Sequence, residues 1–83
     1  MSPDEIRLLL TASFPDAQEV QVSGEGGKFQ VIVVSETFVG MRPVAKQQRV
    51  YAPLNAHIAS GAIHAVTMQT LTPEEWRKMR LFG

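Results

Sequence analysis

The sequence predicts an α+β domain in the order α-β-β-α-α-β-α, a three-stranded mixed sheet with helices packed on it. Three observations carry that reading. Two segments begin with a hydroxyl residue, then proline, then a glutamate three positions after the hydroxyl: Ser2-Pro3-Asp4-Glu5 and Thr72-Pro73-Glu74-Glu75. Such a run marks a helix start, because the hydroxyl and the glutamate satisfy each other's otherwise orphaned backbone N–H groups. Two β-branched runs, Val20-Gln21-Val22 and Phe29–Val34, flank the glycine-rich stretch Gly24–Gly27 and read as a hairpin. A third run, Ala62–Thr70, follows helical sequence rather than a tight turn. A long crossover of that kind permits parallel pairing with one hairpin strand.

The elements follow in chain order. Ile6, Leu9 and Leu10 give the first helix an apolar stripe at helical spacing, and Pro15-Asp16 ends it. The hairpin spans about residues 17–35; its second strand contains the unbroken run Val31–Val34, which implies cover on both faces. A short helical turn is expected at Glu36–Val39, a break at Gly40, and a longer helix from Pro43. Val44, Tyr51, Leu54 and Ile58 supply the buried side of that helix. Pro53 lies within it, so a kink or restart is expected there, and Gly61 suits its end. The third strand is expected over residues 62–70, with His64 inside it, and Trp76 anchors the last helix on the sheet.

Composition narrows the function. Eighty-three residues make one small domain, residues 1–83, with no room for a second core. No cysteine is present, so the chain has neither a disulfide nor a thiolate to offer a metal or a substrate. Eight basic and eight acidic residues balance, so no whole-molecule field selects nucleic acid or an anionic membrane. No apolar run approaches the ~18 residues of a membrane span, and no signal-peptide pattern opens the chain. A cytoplasmic protein is expected.

Enzyme templates fit poorly. Ser23–Lys28 lacks the spacing of a phosphate loop and the Ser or Thr that follows it. The carboxylate pairs Asp4-Glu5 and Glu74-Glu75 sit at helix starts, where capping and the helix dipole account for them. His57 and His64 fall on different elements, so their spacing is not that of a helical metal site. A non-enzymatic role is expected. One local asymmetry stands out: between Thr37 and Pro73 there is no acid, while Arg42, Lys46 and Arg49 all fall there at steps of four and three. On one side of a helix they form either a solvated face or a docking surface for an acidic partner or a phosphate backbone. Three cations without interleaved aromatics imply weak, salt-dependent nucleic-acid affinity at most.

The segments "FQVIVVSETFVGMRPVAKQQRVYAPL" and "IHAVTMQTLTPEEW" together resemble the BolA-like family over most of the chain, and "AKQQRVYAPL" is most similar to its short bacterial IbaG-type branch. The resemblance implies a fold similar to a class II KH domain. It also implies a non-enzymatic adaptor that binds a monothiol glutaredoxin and shares a [2Fe–2S] cluster, serving client apoproteins in iron homeostasis. The family histidine matches His64, as a cluster ligand. Glutaredoxin and glutathione would bring the thiolates, the chain alone holding no cluster and standing as a monomer or weak homodimer. Imidazole in place of thiolate on one iron is sound chemistry. Many relatives carry a second ligand, His or Cys, in the hairpin loop; Lys28 occupies that slot here, and a protonated lysine has no lone pair to give. Either a neighbour such as His57 substitutes, or the cluster is held differently, or the chain docks without ligating. The alternative reading is a nucleic-acid-binding stress-response regulator using Arg42, Lys46 and Arg49.

Overall fold

A computed structural model of the chain describes residues 1–82. Helix α1 (Pro3–Ser13) leads into strands β1 (Glu19–Glu25) and β2 (Lys28–Val34), then a 3-10 turn at Glu36–Phe38 and helix α2 (Pro43–Tyr51). A second 3-10 turn, Ala52–Leu54, connects to the short helix α3 (Asn55–Ala59), followed by strand β3 (Ala65–Leu71) and helix α4 (Pro73–Phe82). This is the α-β-β-α-α-β-α order the sequence predicts. The sheet order is β1-β2-β3, with β1 antiparallel and β3 parallel to the central β2.

The capping logic holds at α1. Glu5 N–H donates to Ser2 Oγ at 3.2 Å and Ser2 N–H to Glu5 Oε1 at 2.9 Å. The same reciprocal pair recurs at α4, between Thr72 and Glu75, at 2.8 and 3.2 Å. Pro53 does interrupt the middle helix: α2 ends at Tyr51, and the chain restarts as α3 after one 3-10 turn. Removal of the proline N–H and its ring's clash with the turn before it are the cause.

One face of the sheet carries the core. Ile6, Leu10 and Phe14 from α1 meet Phe29, Val31 and Val33 from β2, closed by Phe38, Val50, Leu54 and Ile63. The Phe14 and Phe38 rings lie tilted, 5.4 Å between centroids. The opposite face is open around Gln21, Ser23, Gln30, Thr67 and Gln69, with Ile32 half-buried among them. Cover on both faces of β2 is therefore confined to its carboxyl end, where Val34 is fully buried.

Two expectations are corrected. Val44 does not face the core: it is 64% exposed, and Val50 takes the buried place on α2. Pro43 fixes the helix start, which puts Val44 in a solvent-facing first turn, and the 3-10 turn after Tyr51 shifts the phase of Leu54 and Ile58 relative to a continuous helix. The third strand begins at Ala65, not at residue 62. Ile63 N–H donates instead to the His57 carbonyl at 3.1 Å, and its side chain drops fully into the helix-side core. His64 thus precedes the strand. Trp76 is only half-buried, and no side chain of α4 is fully buried. Among the described residues, no helix is long and apolar enough to cross a membrane.

Candidate metal-ligand site at the hairpin tip

The tip is built by two glycines. Glu25 pairs with Lys28, leaving Gly26-Gly27 as a two-residue turn with φ of 62° and 80°. Consecutive left-handed residues match the twist of the flanking strands, and glycine adopts them without strain. The turn then does a second task. Gly27 C=O accepts from His64 N–H at 2.7 Å and from Ala65 N–H at 3.2 Å, which fastens the start of β3 to the tip.

Those bonds set the imidazole in place. His64 is exposed, while its neighbour Ile63 is sealed in the core. The ring packs on the bare α-carbon of Gly27: a β-carbon there would stand 3.0 Å from Cγ, 3.2 Å from Cδ2 and 3.3 Å from Nδ1. No side-chain hydrogen bond ties up either ring nitrogen among the described residues. A neutral imidazole so presented offers one lone pair outward. Lys28 is exposed beside it, opposite Ala65 in the register.

His57 sits apart, half-buried on α3, where its charge helps hold the Glu5 carboxyl below the usual carboxylate range, after the Ser2 hydrogen bonds that lower it most. Among the described residues no three His, Asp or Glu side chains converge as a metal-binding group. The arrangement can supply a single exposed nitrogen donor.

The basic trio does not assemble. Arg42 is exposed at the start of α2. Lys46 is half-buried and lines a cleft with Glu36, Glu74 and Glu75; its charge contributes to lowering the Glu75 carboxyl, behind the Thr72 backbone hydrogen bond. Arg49 is committed elsewhere: Nη2 donates to Ser13 C=O at 3.0 Å and the guanidinium lies 4.6 Å from the Phe14 ring centroid. The sequence spacing gave no sign of this, because the partner lies on another helix.

A domain with this topology, a capped terminal helix and a histidine held at the hairpin tip is of the BolA-like kind. The family model described as BolA-like protein matches residues 9–75, and the chain belongs to that family. Over 80 residues, 96% of this chain and 94% of the relative, it is 49% identical to the acid stress protein IbaG of Escherichia coli K12, which places it in the IbaG-type branch. It is 43% identical over 56 residues to the DNA-binding transcriptional regulator BolA of Vibrio cholerae, covering 68% of this chain and 52% of that protein. Neither name denotes an enzyme. The crystal structure of a Bol-like protein from Babesia bovis superposes with a TM-score of 0.82 at 27% identity, over 96% of this chain and 94% of that one.

Proposed function

We propose that this chain is a cytoplasmic, non-enzymatic adaptor of the stress response. In this reading it docks a monothiol glutaredoxin and lends His64 to a [2Fe–2S] cluster whose other ligands come from glutaredoxin and glutathione, for delivery to client apoproteins. The observation that supports this reading is the presentation of His64: exposed, with its backbone pinned to Gly27 and its ring nitrogens unclaimed. A structural histidine is normally held by partners on both sides; this one faces solvent. The donor set fits a cluster at one position only. The Lys28 ammonium has no lone pair to give and adds a positive charge beside the iron. The chain would therefore act as a half-site, and its cluster complex would be more labile than one with two imidazoles.

The nucleic-acid reading is weakened by Arg49. With that guanidinium engaged by Ser13 and Phe14, and Lys46 half-buried near Glu75, Arg42 is the one member of the trio that is exposed. One or two phosphate contacts release too few counterions for tight binding at physiological salt.

The test is to mix the chain with cluster-loaded monothiol glutaredoxin and record visible absorption and circular dichroism. Co-elution with an altered spectrum is expected. His64→Ala should change or abolish that spectrum while leaving the fold intact, and Lys28→His should lengthen cluster lifetime against a chelator. Absence of both co-elution and spectral change in the wild type overturns the adaptor role. An unaltered spectrum with His64→Ala removes the histidine from the iron.

A further inference from the structure

The free edge of β3 is unusual for an exposed strand. Ala65 N–H bonds to Gly27 C=O and Ser35 N–H to Leu71 C=O. In a parallel ladder these alternate, so residues 65, 67, 69 and 71 turn their backbone groups to β2. Val66, Met68 and Thr70 then turn theirs outward, and among the described residues no strand pairs with them and no side chain hydrogen-bonds to them. Natural edges are usually guarded by charge, proline or a bulge. The opposite edge is guarded: β1 begins at Glu19 and ends at Glu25, so it carries a charge at each end. The β3 segment, AVTMQTL, has no charge, no proline and no glycine.

We propose that β3 pairs with β3 of a second copy, antiparallel about a twofold axis through Met68, to make a continuous six-stranded sheet. The positions of the free groups select this occupant. Outward residues 66, 68 and 70 are symmetric about 68, so in that register Val66 meets Thr70, Met68 meets Met68, and Thr70 meets Val66. Every outward N–H and C=O finds a partner, which adds six hydrogen bonds by the antiparallel pattern. A register centred on Val66 or Thr70 leaves most of them unpaired. The facing side chains agree. Val66 and Thr70 are a β-branched pair on the helix side, while Thr67 and Gln69 meet on the open face, with no like charges opposed. The formal net charge of zero adds no repulsion between copies. One strand pair buries far less than an obligate interface, so the dimer is concentration-dependent.

Sedimentation equilibrium from micromolar to millimolar protein, combined with amide hydrogen exchange, tests this. The chain should dimerise reversibly, and the amides of Val66, Met68 and Thr70 should gain protection with concentration, those of Thr67 and Gln69 being protected throughout. Thr67→Lys with Gln69→Lys alters only exposed side chains of the open face and sets lysine against lysine across the axis. It should weaken the dimer at least tenfold without changing the melt. Mixing it with Thr67→Glu/Gln69→Glu should restore association as a heterodimer. A chain monomeric to millimolar concentration overturns the proposal, even if a strand of another protein protects the same edge. So does a dimer indifferent to the lysines.

Discussion

Arg49→Ala will destabilise the fold substantially, although its spacing reads as part of a binding face. The guanidinium donates a charged hydrogen bond of 3.0 Å to Ser13 C=O, one of the carbonyls left over at the end of α1. It also stands 4.6 Å from the Phe14 ring centroid, in contact with a fully buried aromatic. A hydrogen bond to a charged group contributes about 1.5–3 kcal/mol. The cation–π contact contributes about 0.5–1 kcal/mol where solvent has access. Because the side chain is half-buried and the two contacts are not additive, a loss of roughly 2–3 kcal/mol follows. For a domain of this size each kcal/mol moves the melting temperature by about 4–8 °C. Arg49→Lys keeps the charge but loses the planar stack and should recover about half. Urea unfolding with linear extrapolation measures both variants, and the slope should stay unchanged if only native contacts are lost. A loss below ~0.5 kcal/mol for Arg49→Ala would refute the structural role and return Arg49 to the surface.

The hairpin tip allows a matched pair of substitutions. Gly26→Ala and Gly27→Ala both force a left-handed alanine, costing about 1–2 kcal/mol each, but only at Gly27 does the new methyl meet the imidazole. Both should lower the urea midpoint, and only Gly27→Ala should shift the His64 ring resonances; equal resonances in the two variants would remove the ring from the glycine. Acid sensitivity is a separate matter. The folded state holds the Glu5 and Glu75 carboxyls below their usual range, chiefly through the backbone N–H of Ser2 and of Thr72. A depressed folded pKa gives stability that is present above the unfolded value and lost as pH falls through the folded one. Glu5→Gln with Glu75→Gln should therefore flatten the fall in melting temperature on acidification through the carboxylate range, and a curve parallel to the wild type would count against that contribution.

What could be read from the sequence was local. The Ser2/Glu5 and Thr72/Glu75 caps and the Pro53 restart each involve residues a few positions apart and stand where the spacing put them. The hairpin turn falls within the Gly24–Gly27 stretch, narrowed to Gly26-Gly27 because Gly24 and Glu25 pair as the end of β1. What could not be read depended on distant partners. Val44 looked buried because it lies seven positions, two helical turns, before the half-buried Tyr51; the fold buries α2 only at its last turn, at Val50, and leaves the first turn in solvent. Arg49 looked free because its acceptor, Ser13, lies 36 positions away on another helix. His64 read as a strand residue because the apolar run around it is continuous; only the parallel register with Gly27 lifts it out of the strand and turns it to solvent. The glycine against which the ring packs carries no periodic signal at all.

The parallel pairing of β3 also fixes when the tip comes into being. The hairpin closes between neighbours, whereas Lys28 and Ala65, opposite each other in the ladder, are separated by the whole crossover of α2 and α3. Long-range pairings of this kind must meet the entropy of loop closure before any contact compensates it, and they form late. Until then His64 has no Gly27 beneath it. A chain still on the ribosome, or one whose β3 has peeled away under stress, therefore displays no organised imidazole, and the histidine becomes a signature of a completed molecule. A partner that reads His64 in its seated position would bind finished copies and pass over unfinished ones, with no separate checkpoint.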